Sequence, residues 1–170
     1  MTQKGILQGD LLYHAMHGLC RVDGIVRESQ SGREVLTYSL VPKTPNRMKV
    51  RFVVPAVDIE ASGFHALVSL KGANEILEYL RAGDLGAARE EDQTWKLAKA
   101  VLSSSQDSPE VKDVRKRQTL ERSAKGLVRE LAFVLKMTLK ETAASVQKSL
   151  GNASKISPMV LAALAHAGED

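Results

Sequence analysis

The chain has 170 residues, with 24 Lys and Arg against 20 Asp and Glu and 44% hydrophobic residues. That length allows one ordinary domain or two small ones, and the composition argues against a disordered chain. The net charge of +4 is a mild excess that permits nucleic-acid contact without requiring it, and at 4% aromatics the core must come from Leu, Val, Ile and Ala.

The first third reads as strands. Gly9-Asp10 opens a short run, Leu11-Leu12-Tyr13-His14. Gly18 starts a second, reaching Arg27, with Cys20, Val22 and Gly24 on one face and Arg21, Asp23 and Ile25 on the other. Ser29-Gln30-Ser31-Gly32 is a turn cluster. The stretch from Glu34 to Val41 is rich in strand formers, and Pro42 to Asn46 is a loop with two prolines. Lys49 to Val54 alternates again, and Pro55 stops it. Short links between four or five strands predict an antiparallel meander rolled into a small barrel.

From Leu70 the period becomes helical. Ile76, Leu77 and Leu80 share a face, Gly83 and Gly86 interrupt, and Trp95 to Leu102 resumes. Ser103-Ser104-Ser105 is expected to break that helix. Ser108-Pro109 has the form of an N-cap followed by Pro at the first helical position. A long helix then carries Leu120, Ala124, Leu127, Leu131 and Val134 as an apolar stripe. Thr138 with Glu141 three later has the capping-box form. Leu139, Ala143, Val146 and Leu150 make that helix's inner face, Gly151 ends it, and Ser157-Pro158 starts a last helix through His166. The fold class expected is α+β, with a β domain at 1–66 followed by an all-α helical domain at 67–170.

Residues for catalysis are sparse. There is no phosphate-binding GxxxxGKS/T loop, no GxGxxG after a strand, no HExxH and no paired CxxC. His14, His17 and Cys20 are spaced by three, but on a strand or loop that spacing does not align side chains on one metal. Cys20 lies in a strand pattern with no base beside it and reads as a small buried hydrophobe. No enzyme, metal or cofactor is expected. A lone cysteine gives no internal disulfide, the chain opens with no basic-then-apolar signal, and no apolar run approaches about 20 residues. A cytoplasmic protein without a membrane segment is the expectation.

Two features bear on binding. Lys112 to Arg129 holds seven basic groups (Lys112, Arg115, Lys116, Arg117, Arg122, Lys125, Arg129) against Asp113 and Glu121, a net +5. Such a face either neutralises phosphates or is a solvated helix surface, with Glu110 and Glu130 close by. The second is Trp95, the only tryptophan, in Asp92-Gln93-Thr94-Trp95-Lys96. It is either a helix-packing anchor, which the sequence favours, or an exposed wedge for a distorted base step, with Lys96 and Lys99 near phosphates.

The order of short motifs resembles the CarD/CdnL family of bacterial RNA-polymerase-binding regulators. The carrying residues are Gly9-Asp10, Tyr13, His17-Gly18, Val22 and Ile25, then Tyr38-Ser39-Leu40, Val53-Val54-Pro55-Ala56, Gly63 and Leu67-Val68. In the helical half they are Thr94-Trp95 and Leu120 with Leu127-Val128-Arg129-Glu130-Leu131. The likeness spans about residues 5 to 150. It implies a Tudor-like β domain that binds the RNA polymerase β subunit through Arg27, Arg51, Val53 and Pro55. It also implies a helical domain that contacts promoter DNA and modulates open-complex formation. The DNA contacts it implies are the Trp95 wedge, Lys96 and Lys99; Arg115, Lys116, Arg122 and Lys125 are added as DNA-binding candidates from the charge pattern of the basic segment.

The sequence departs from the family around these sites. Tyr13-His14 replaces Tyr-Pro, and Leu97-Ala98-Lys99 stands where relatives carry Arg-Arg-Tyr. Residues 152–170 lie beyond the match. An alternative is a protein–protein adaptor that kept the β module, packs Trp95 inside and does not bind DNA.

Overall fold

The computed structural model describes residues 5–44, 49–89, 92–106, 113–151 and 156–169. The chain divides into two compact units, Met1–Leu67 and Val68–Asp170. Among the described residues, the first is a five-stranded antiparallel sheet and the second holds five α-helices, so the class is α+β.

In the first unit the strands are β1 (Leu11–His14), β2 (Gly18–Gln30), β3 (Arg33–Pro42), β4 (Phe52–Pro55) and β5 (His65–Ala66). Their order is β4-β3-β2-β1-β5, an open sheet rather than the closed barrel expected. The β2–β3 hairpin turns on Ser31 and Gly32, both at positive φ (52° and 78°). Two consecutive residues of that kind match the right-handed twist of the flanking strands. One face buries Leu12, Cys20, Val22, Tyr38, Leu40, Val54 and Phe64.

Two expectations for the strands are corrected. The β2–β3 register slips between Val22 and Gly24, a bulge that inserts one residue. After it the alternation reverses, so Ile25 and not Gly24 joins the inner face, where it packs on the core. Strand β4 starts at Phe52 rather than Lys49, which sits at φ 43° outside the strand. Pro55 pairs with Thr37 as the last residue of β4, acceptable because β4 is an edge.

In the second unit the helices are α1 (Leu70–Ala82), α2 (Gln93–Gln106), α3 (Val114–Leu135), α4 (Leu139–Leu150) and α5 (Pro158–Ala167). Helix α3 is central and packs on the other four. Its stripe Leu120, Ala124, Leu127 and Leu131 is buried as the periodicity predicts. Ser69 caps α1, accepting from the Gly72 N–H, and Gly83 ends it in the left-handed conformation. Thr138 and Glu141 form the predicted capping box on α4. The serine run does not break α2: it forms the last turn, where the Ser105 hydroxyl donates to the Leu102 carbonyl at 2.6 Å. The Ser108-Pro109 start signal lies outside the described residues, and α3 begins at Val114 with Asp113 accepting from the Arg115 N–H. Among the described residues, no helix is long and apolar enough to cross a membrane.

Candidate functional site

The β unit presents its outer face on β4, β3 and β2. Cross-strand partners point to the same side of a sheet, so the register sorts the residues. Pro55, Thr37 and Val26 form one row, and Val53, Ser39 and Gly24 the next. Val53 is 66% exposed and Val26 48%, although both are apolar. Arg51, two residues before Val53, closes the patch. Its guanidinium reaches the Asp23 carboxylate at 2.9 Å and donates to the Ser39 hydroxyl at 2.8 Å. Asp23 also meets Arg21 at 3.6 Å. These pairs are exposed, so they orient Arg51 more than they stabilise the fold.

Of the predicted polymerase contacts, Arg51, Val53 and Pro55 share this face. Arg27 does not. It pairs with Leu36 and has the parity of Ile25, so it belongs to the opposite face, near the hairpin tip, with Glu34 at 3.8 Å. The bulge is the cause, since it inverts the sides of every β2 residue that follows. Val26 takes the outward place. Val57, in the 3-10 turn Ala56–Asp58 after β4, is 88% exposed and extends the apolar surface along the chain. Neither residue was singled out from sequence, because an isolated Val gives no sign of its exposure.

On the helical unit, Trp95 is not a surface residue. It is 5% exposed, inside the core, with Tyr79 edge-on at 5.2 Å and the Arg89 guanidinium 5.4 Å from its ring centre. Arg89 is held there by Glu75 at 3.0 Å. The wedge reading is corrected: the ring fills the space between α1 and α2, and its burial supplies packing energy. Lys96 on the next residue is exposed, whereas Lys99 is half-buried.

Helix α3 carries the remaining basic candidates. Arg115 and Arg122 are exposed and Arg129 is half-buried, each seven residues from the last. Seven residues are nearly two turns, so the three lie on one line over about 21 Å. Phe133, 52% exposed, continues that line. Lys125 is half-buried beside it. Lys116 lies off that line, and with Arg115 it borders a groove that Ala100, Leu120 and Met159 also line. Arg117 is paired with Glu121 at 3.1 Å. Lys112 lies outside the described residues.

Glu130, read from sequence as an acid near the basic face, is fully buried. Its Oε1 accepts from the Thr94 hydroxyl at 2.9 Å and from the Val68 N–H at 3.2 Å.

The trio His14, His17 and Cys20 does not converge on one ion. The Cys20 thiol is fully buried, and burial pushes its pKa up. His14 Nδ1 accepts from the Met16 N–H at 3.1 Å, and its Nε2 lies 3.0 Å from the Ser62 carbonyl oxygen. Among the described residues, no group of three or more His, Cys, Asp or Glu is placed to hold a metal ion. No protein-family model matches this sequence, and no curated protein matches it.

Proposed function

We propose that this protein is a cytoplasmic, non-enzymatic transcription regulator whose β unit, Tudor-like in kind, docks on the RNA polymerase β subunit. The observation that carries the reading is β4, the outermost strand on its side of the sheet among the described residues, with Val53 66% exposed and Arg51 held beside it. An edge strand offers unpaired backbone donors and acceptors to a strand of a partner, and flanking side chains select which partner. The resemblance to CarD/CdnL proteins supplies the identity of that partner.

The helical unit meets promoter DNA through the α3 line of Arg115 and Arg122, joined by Lys125, and modulates the open complex by gripping phosphates. Arg115 and Arg122 are exposed and stand about 10 Å apart along one helix face, which suits a run of phosphates. Trp95 takes no part. Its burial also favours a second reading, a protein–protein adaptor that docks on polymerase without binding DNA.

Two measurements on the full chain test these readings. Val53→Lys puts a charge on the docking edge without touching the core, and is expected to weaken binding to the isolated polymerase β subunit at least about tenfold. Unchanged binding would remove the docking assignment. For DNA, Arg115→Ala with Arg122→Ala is expected to lower the slope of log affinity against log salt by about two. Absence of wild-type DNA binding at low salt leaves the adaptor as the reading.

A further inference from the structure

Four aromatic rings close a cycle in the β unit. The His14 ring centre lies 4.5 Å from His17 and 4.8 Å from Phe64. His17 lies 4.4 Å from Phe52, and Phe52 lies 5.6 Å from Phe64. The rings come from the end of β1, the β1–β2 turn, the start of β4 and the residue before β5. In hydrogen-bond order, β4 and β5 are opposite ends of the sheet. The cycle therefore brings the two ends together through side chains where no backbone ladder joins them.

Two of these rings are imidazoles, the side chain whose protonation is the usual pH switch in proteins. The His14 contacts define its tautomer: Nε2–H donates to the Ser62 carbonyl, and Nδ1 carries the lone pair that receives the Met16 N–H. A proton on Nδ1 abolishes that acceptor and sets two donors against each other. It also places a cation against His17. On one side the ring lies close to the Gly63 backbone, where an added Cβ would come 3.0 Å from His14 Nε2. The titratable groups acting on His14 are His17 from the turn and His65 from β5, and both oppose a positive charge. The Ser62 carbonyl favours one. Asp58 and Glu60 stand on the turn that leads to Ser62, where their backbone carbonyls receive the Ser62 and Gly63 N–H groups.

We propose that the His14–His17–Phe52–Phe64 cycle is a pH-sensitive seam: protonation of His14 opens it and frees β4 from the β1–β5 side of the unit. Burial, followed by His17, holds the His14 pKa below its ordinary 6.5. A depressed histidine pKa means that the unfolded chain takes up the proton first. The seam is thus intact above about pH 6.5 and is lost as pH falls through the lower, folded-state value. This holds whether or not the unit binds polymerase.

NMR of the full chain between about pH 7.5 and about pH 5 tests it. The Met16 amide is expected to shift with the same midpoint as the His14 ring protons. Hydrogen-exchange protection of the β3–β4 pairs, corrected for intrinsic exchange, should fall about tenfold over that range. His14→Phe keeps a ring but cannot titrate, so protection in that variant should stay flat with pH. His17→Phe removes the like charge and should reduce the loss, while His65→Gln should leave most of it. A Met16 amide that does not follow His14, or protection that is constant in wild type, overturns the seam. An equal loss in His14→Phe overturns it as well.

Discussion

The Thr94 hydroxyl donates to Glu130 Oε1 across 2.9 Å in a site where neither residue is exposed. The same oxygen receives the Val68 N–H at 3.2 Å. One carboxylate on α3 thus ties the start of α2 to the segment before α1. A buried carboxylate is tolerable only with such partners, since its desolvation must be offset by charge-assisted hydrogen bonds.

Removing Glu130 therefore strands the Thr94 hydroxyl and the Val68 N–H. Glu130→Ala is expected to lower unfolding stability by about 3 kcal/mol or more, from orphaned polar groups and lost packing. Glu130→Gln keeps an acceptor and should cost distinctly less. Urea titration of both variants measures the difference, and equal costs would show that the carboxylate oxygen is not what matters.

Trp95 is an anchor, so its truncation acts on folding. Trp95→Ala is expected to cost about 3 to 5 kcal/mol. As the sole tryptophan it reports on itself: native fluorescence should be poorly quenched by iodide and should move to longer wavelength on unfolding. Its neighbour Tyr79 is buried with no partner for its hydroxyl among the described residues. Tyr79→Phe should then be neutral or stabilising by up to about 1 kcal/mol.

Cys20 is fully buried, with a thiol pKa raised by desolvation. Thiolate is the reactive form, so both effects slow alkylation. In the native protein, reaction with a thiol reagent should follow the opening rate of the sheet and accelerate in urea. Cys20→Ser, which buries a stronger dipole at the same site, should destabilise by about 1 to 3 kcal/mol.

The α4 capping box links stability to pH. The Thr138 N–H and hydroxyl each donate to Glu141 Oε2 at 2.9 Å. They hold the Glu141 carboxyl below the usual carboxylate range. A lowered carboxylate pKa contributes stability above the unfolded value, and that contribution is lost as pH falls through the folded value. Thr138→Ala should cost about 1 kcal/mol near neutral pH. The gap from wild type should narrow below about pH 4.5, as read from urea midpoints across pH.

Lys136 ends α3 in the left-handed region, at φ 55° and ψ 42°. Its N–H bonds the Ala132 carbonyl, the role usually taken by glycine. Lys136→Gly relieves the conformation and should raise stability by up to about 1 kcal/mol, measured as an increase in Tm.

By itself, the sequence determined the features that depend on near neighbours. Leu120, Ala124, Leu127 and Leu131 announce a buried helix stripe because their spacing matches the helical turn. Thr138 and Glu141 announce their cap because the partners are three residues apart. Ser31-Gly32 announces a hairpin, and the change from strand to helix patterning near residue 70 is visible at once. The tertiary structure alone decided which side a residue faces and what surrounds it. One bulged residue at the Val22–Gly24 step moves Ile25 inward and separates Arg27 from Arg51 and Val53. Glu130 looks like a surface group beside lysines and arginines, yet it is buried, since Thr94 and Val68 reach it from other elements, and the choice of anchor over wedge for Trp95 is made by Tyr79 packing on its ring. The His14–Phe64 cycle joins residues up to 50 positions apart in the chain. Periodicity is a local property of the backbone, whereas burial and partnership arise only when distant elements meet.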